Sequence, residues 1–194
     1  GSKIKFSDGS VYEGEINDVV RDGNGVLTYA NGDVYEGEFD DDMISGDGRL
    51  TCVSGDIYDG SFKNGQRSGK GTLFYADGTI FEGEFSGGRK NGYGVFTGNG
   101  TSYEGYYVDD IKEGRGKQVF SNGDTYEGDF ADGEKHGSGK YVFAADGSYY
   151  EGQFVSNAKE GTGKFVQADG SSYVGSYKGD VKNGYGIFTF ANGD

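Results

Sequence analysis

Asn31-Gly32-Asp33-Val34-Tyr35-Glu36-Gly37-Glu38-Phe39 reads as a tight turn followed by a short strand. Asn-Gly between alternating runs is the strongest short-range hairpin signal. Upstream, Gly25-Val26-Leu27-Thr28-Tyr29 alternates with period two, and Val34 to Phe39 supplies the returning strand. Nearly the same nine residues return eight times. The aromatic of the aromatic-x-Gly triplet stands at Tyr12, Tyr35, Tyr58, Phe81, Tyr103, Tyr126, Tyr150 and Tyr173, in steps of 23, 23, 23, 22, 23, 24 and 23. A Gly-x-Gly pair begins nine residues after each triplet glycine, from Gly23 to Gly184, and a turn glycine precedes each aromatic by three. A fixed period of this length marks a repeat array, in which units bury their apolar faces against neighbours. The expected fold is therefore all-β, with antiparallel tandem β-hairpins over residues 1–194 in about eight repeats of 23 residues and no helix.

Strand alternation assigns the faces. Tyr35, Gly37 and Phe39 share one face, with Leu27 and Tyr29 beside them. The same reading places a structural core at Tyr12, Gly14, Tyr58, Gly60, Phe62, Phe81, Gly83, Phe85, Tyr103, Gly105, Tyr126, Gly128, Phe130, Tyr150, Gly152, Phe154, Tyr173 and Gly175. The triplet glycines leave room for rings to lie across the backbone. The other face carries Glu13, Glu15, Glu36, Glu38, Glu82, Glu84, Glu127 and Asp129, a solvated acidic stripe that Lys117, Lys140 and Lys164 partly offset. Between repeats, six-residue linkers such as Lys63 to Ser68 are expected. Val20, Met43, Ile111 and Val181 in those linkers are expected to cap an edge of the apolar layer.

Composition narrows the function. Thirty aromatics at fixed positions argue against disorder, and 40 glycines without a three-residue period or any proline exclude collagen. The net charge of −14 disfavours nucleic acid and anionic membrane, which need a positive footprint. Gly1-Ser2 reads as a cloning remnant and Ala191 to Asp194 stops inside a turn unit, so a fragment of a longer protein is expected. One cysteine allows no internal disulfide and fits a reducing, cytoplasmic compartment.

Catalytic motifs are missing. Gly69-Lys70-Gly71-Thr72 lacks the spacing of a phosphate loop. Asp40-Asp41-Asp42 does not match a helix-loop-helix calcium site. A single His136 supports neither a catalytic triad nor a multi-histidine metal site. It is expected exposed in a linker, while Cys52 takes an inward position as a small core residue. No enzyme activity, cofactor or metal is expected.

Tyr-Glu-Gly-Glu-Phe, a short Gly-containing linker, Gly-x-Gly and Asn-Gly-Asp together resemble the membrane occupation and recognition nexus (MORN) repeat, over essentially the whole chain. The resemblance implies hairpins stacked side by side into an elongated, twisted, single-layer sheet. It also implies scaffolding in cell-cortex and flagellar cytoskeletons, or an accessory region of an enzyme such as a lipid kinase or methyltransferase. An undecorated array is similar to the protozoan cytoskeletal members, which act as dimers in cell division and membrane-linked scaffolding. The expected function is a non-enzymatic cytoskeletal or cortical scaffold that binds proteins and itself. The alternative is a peripheral phosphoinositide-binding module using the basic row Arg21, Arg67, Arg89, Lys90, Lys112, Lys135, Lys159 and Lys182, with Arg89 and Lys90 as lipid contacts. A homodimer is expected through Tyr173, Tyr177, Tyr185, Phe188 and Phe190, because array ends without atypical capping expose sheet edges.

Overall fold

Alternating sequence becomes alternating strand, and the strands follow one another in chain order. The computed structural model describes residues 1–194, which divide into two compact units, residues 1–98 and 99–194. The first holds β1 (Ser2–Lys5), β2 (Val11–Asn17), β3 (Val20–Thr28), β4 (Val34–Asp40), β5 (Met43–Thr51), β6 (Ile57–Lys63), β7 (Gln66–Phe74), β8 (Ile80–Ser86) and β9 (Arg89–Gly98). The second holds β10 (Thr101–Val108), β11 (Ile111–Val119), β12 (Thr125–Ala131), β13 (Glu134–Val142), β14 (Tyr149–Val155), β15 (Ala158–Val166), β16 (Ser172–Lys178) and β17 (Val181–Thr189). Within each unit every strand pairs antiparallel with the next, giving an open meander of tandem hairpins.

Two kinds of turn alternate along the meander. At Asn31-Gly32 the loop has three residues: Tyr29 N donates to Asp33 O at 2.8 Å and Gly32 N to Tyr29 O at 2.9 Å. Gly32 alone there is left-handed, at φ 97°, as a type I turn closed by a G1 bulge requires. The Asn31 side chain accepts from Asp33 N at 3.0 Å and holds the loop closed.

The expected six-residue linkers are not linkers. Lys63 pairs directly with Gln66 across Asn64-Gly65, and Asp40 with Met43 across Asp41-Asp42. Both turn residues are left-handed, at 50° and 80° in the first case and 46° and 70° in the second. This is the type I′ hairpin, whose backbone twist matches that of the strands it joins. The second turn residue also ties repeats together: Gly65 N donates to Ile44 O, Gly88 N to Arg67 O and Gly133 N to Lys112 O, at 2.9 to 3.0 Å. The tight connection lies where the sequence shows the loosest pattern, because Asp, Asn, Gly and Ser all tolerate the left-handed region there.

The turn geometry also corrects the placing of the linker apolar residues. Met43, Ile111 and Val181 start strands and are exposed. Ile44, next to Met43, is the residue paired with Phe39 on the ring face and is buried, so alternation sends Met43 to the opposite side.

Candidate partner-binding face

The triplet aromatics build one face of each unit. Tyr12, Tyr35, Tyr58, Phe81, Tyr103, Tyr126 and Tyr150 are buried, with Phe39, Phe62, Phe85, Phe130 and Phe154 beside them. Each tyrosine lies along a cross-strand glycine pair. Gly37 pairs with Gly48, and a Cβ on Gly48 would overlap the Tyr35 ring. The hydroxyl reaches past the glycines to a carbonyl three residues on, Tyr35 to Glu38 O at 2.7 Å and Tyr126 to Asp129 O at 2.7 Å. Each phenylalanine then sits edge-on between two triplet rings. Phe39 lies 5.0 Å from Tyr12 and 5.2 Å from Tyr35, and Phe62 lies 5.3 Å from Tyr35 and 5.0 Å from Tyr58. Such pairs contribute about 0.5–1.5 kcal/mol each beyond burial. Burial pushes the hydroxyls of Tyr35, Tyr58, Tyr126, Tyr141 and Tyr150 up to about 12.

The basic row, Arg89 apart, belongs to this face. Register places Arg67 opposite Phe62, Lys90 opposite Phe85, Lys135 opposite Phe130 and Lys159 opposite Phe154. Their charged ends lie over the rings. Arg67 Cζ is 5.2 Å from the Phe85 centroid, Lys90 Nζ 4.6 Å from Phe81, and Lys135 Nζ 4.8 Å from Tyr141. Burial among rings holds the Lys135 ammonium below its usual range. Strand alternation separates the neighbours expected to act together: Lys90 packs on the ring face, while Arg89 is exposed and paired with Ser86. The spacing of these cations was legible in the sequence. Their facing was not, because it is set by two-residue turns whose residue names resemble a linker.

Above the buried rings lies a second, half-buried apolar tier. It includes Tyr29, Leu50, Cys52, Tyr75 and Phe96 in the first unit, and Phe120, Tyr141, Phe143 and Phe165 in the second. In the first unit this tier opens into a groove of about 350 Å³ between Ile44, Leu50, Cys52, Leu73 and Arg67, within the size range of small-ligand sites. Cys52 stands half-buried in its wall, and burial pushes its thiol up.

The opposite face has a larger hollow of about 600 Å³, floored by Gly71 and Gly83 and walled by Asp59, Lys70, Glu82, Glu84 and Tyr93. One of its carboxylates has structural work that recurs along the array: Glu84 accepts from Tyr93 N at 2.9 Å, as Glu38 does from Asp47 N at 2.5 Å and Asp129 from Ser138 N at 3.1 Å. Each caps a backbone donor at the bulge after the first glycine of Gly-x-Gly. The fixed nine-residue interval between acid and donor was the sequence signal for this role. The apolar groove, with its mixed lining, is therefore the better recognition surface.

No three His, Cys, Asp or Glu side chains converge as a metal site. His136 is exposed on β13 and not in a linker. Of the five aromatics expected at a dimer interface, Tyr177 is buried against Tyr150 and Tyr173, at 5.1 and 5.7 Å, and Tyr173 is half-covered. Tyr185, Phe188 and Phe190 are exposed.

The MORN repeat family profile matches residues 12–34, 35–57, 58–80, 81–102, 103–125, 126–148, 150–172 and 173–194. No curated protein matches the chain significantly. Among solved structures, the TCP10 domain of Danio rerio CPAP in complex with a STIL peptide is similar at 14% identity and TM-score 0.52. The match covers 99% of this chain and 90% of that one. The Drosophila melanogaster SAS-4 (dCPAP) TCP domain, solved with a proline-rich motif of Ana2, matches at 15% identity and TM-score 0.45, covering 96% and 88%. These likenesses concern the fold.

Proposed function

The chain belongs to the MORN-repeat family, and on that premise we propose that it is a scaffold that holds protein partners against its ring face. MORN repeats are non-catalytic structural modules that mediate protein contacts. The observation that carries the reading is the two-tier ring face, in which cations lie over buried aromatics beside half-buried apolar side chains. Aromatic and aliphatic side chains with an arginine such as Arg67 among them are the composition of interface cores. The Danio rerio CPAP TCP10 domain, of similar fold, is solved with a STIL peptide, which supports a peptide segment as occupant. A photo-crosslinker at Leu73, on the ring face, should capture discrete protein adducts in cells. The same group at Thr72, on the opposite face, should not. Equal capture from both positions would defeat the reading.

The finer parts of this proposal are a cytoplasmic place at the cytoskeleton or cell cortex, a role in cell division and self-association. The concentration of aromatics at Tyr173, Tyr177, Tyr185, Phe188 and Phe190 supports self-association. Light scattering should show a dimer that changing Tyr185, Phe188 and Phe190 to serine dissolves. Phosphoinositide binding is the weaker alternative, since most of the basic row is engaged with rings. Co-sedimentation with anionic vesicles, abolished by Arg89→Glu, would favour it over the protein scaffold.

A further inference from the structure

The first unit breaks the repeat pattern at two positions that meet in space, beside a cation without a counter-charge. Where other repeats place a cation over the rings, the second repeat has Ile44. Where Tyr29 and Tyr75 stand in the neighbouring repeats, it has Cys52. Both replacements shorten the side chain, and together with Leu50 and Leu73 they leave the groove of about 350 Å³. The cation beside them differs from its counterpart in the first repeat. Arg21 forms an ion pair with Asp42, twenty-one residues on, at 2.6 Å. Arg67, two repeats further, has Gly88 at the same interval and donates to its carbonyl oxygen at 2.6 Å. Its guanidinium lines the groove without a carboxylate partner.

We propose that this groove is the anchor site of the ring face, taking an extended peptide segment with an aliphatic side chain followed, two residues on, by a carboxylate. The aliphatic group fills the space between Ile44, Leu50, Cys52 and Leu73. The carboxylate supplies to Arg67 the partner that Asp42 gives Arg21. An interval of two residues puts both groups on one side of an extended chain, roughly 6–7 Å apart. Asp56, at the same groove, has its carboxylate engaged by Ala76 N at 2.8 Å. Its negative charge opposite Arg67 favours one direction of the bound segment. The proposal rests on the ring face being the partner-binding face, and adds which residues select the partner.

Selection of a phage-displayed library of random dodecapeptides against the intact chain tests it. The enriched peptides should share an aliphatic residue with Asp or Glu two positions later. Cys52→Tyr, which fills the groove with the side chain of the neighbouring repeats, should weaken an enriched peptide about tenfold or more. Changing the peptide acid to its amide should weaken binding about tenfold to the native chain and leave binding to Arg67→Gln unaltered. That cycle does not depend on the folding of the Cys52 variant. Peptides that bind without this pattern, insensitive to both variants but lost on Lys159→Gln, would overturn the anchor site and leave the ring face standing. Binding lost on Thr72→Arg, or no enriched peptide at all, would overturn both.

Discussion

The two units share a ring face and differ on the other. In the first, the acids of the triplet row face neutral cross-strand partners at all but two positions: Glu13 and Glu36 flank Val26, Asp59 and Glu82 flank Thr72, and Glu82 pairs with Val95. Arg49, between Glu36 and Asp59, and Lys3, opposite Glu13, are the exceptions. In the second unit, Glu104, Lys117, Glu127, Lys140, Glu151 and Lys164 alternate without a gap. None of these lysines closes to an ion-pair distance, so they cancel the acidic field without forming bonds. The difference separates what the fold requires from what it leaves free. Rings, glycines and turn residues recur because each fills or vacates a fixed space, whereas the row beside them can be charged or neutral without disturbing the backbone.

If the ring face is the shared requirement, its largest perturbation should cost both units alike. A Cβ on Gly83 would lie 2.6 Å from Gly94 Cα and 2.8 Å from the Phe81 ring, and one on Gly128 would lie 2.6 Å from the Tyr126 hydroxyl. Gly83→Val and Gly128→Val should each lose about 3 kcal/mol by overpacking, read by urea denaturation. A loss confined to one unit would show that the two ring faces are not equivalent.

Alkali should then test the same equivalence. The buried tyrosines have folded pKa values raised to about 12 from an ordinary 10, so their neutral forms favour the fold. That stability is complete below pH 10 and is lost as pH rises from 10 through 12, where the unfolded chain binds fewer protons. The second unit holds three of these residues, Tyr126, Tyr141 and Tyr150, and burial raises Tyr177 there too. The first holds Tyr35 and Tyr58, and burial raises Tyr12 and Tyr29 there too. Amide exchange during an alkaline titration should show both units opening together as pH rises from 10 through 12, and one opening well ahead of the other would show that the two ring faces are not equivalent.

The charge ladder predicts a smaller and reciprocal effect. Val26→Lys inserts a cation between Glu13 and Glu36 and should stabilise the first unit by about 0.5 kcal/mol at low salt. Lys140→Val removes one from between Glu127 and Glu151 and should destabilise the second by a similar amount. Both should fade in molar salt. Equal melting temperatures for all variants at low salt would remove the ladder as an energetic difference.

Much of the architecture was legible because steric requirements repeat. Tyr35 needs Gly37 and Gly48 beneath it, and the same spacing recurs in each hairpin, so ring face, period and fold class follow from residue positions. The turns were harder. Asn64-Gly65, Asp41-Asp42 and Gly87-Gly88 perform the same left-handed task with different residues, and a pattern of residue names hides a constant backbone. Misreading them as linkers displaced the cations from the ring face, and with them the candidate site. The groove was illegible for a different reason. It arises from Ile44 and Cys52, two departures from the repeat that meet beside Arg67 only once the strands are paired.

The finest test lies within one strand of the first unit, where two acids share a face and not a role. Glu82 is exposed opposite Thr72 and Val95 and belongs to the free row. Glu84 accepts from Tyr93 N at 2.9 Å, and its carboxylate fills the space a Cβ on Gly92 would need. Gly92 sits at φ 104°, so the bulge there depends on a glycine and on a nearby acceptor. Glu84→Ala leaves that backbone donor to water and should cost about 1 kcal/mol. Glu82→Gln removes a charge and no contact, and should change stability by less than about 0.5 kcal/mol. Its slight effect should favour stability, since Glu84 and Asp59 lie nearby and Glu82 has no cross-strand cation to lose. A Glu82→Gln loss as large as that of Glu84→Ala would mean that the triplet row is also structural, and that the first unit is not free to carry the charge it does.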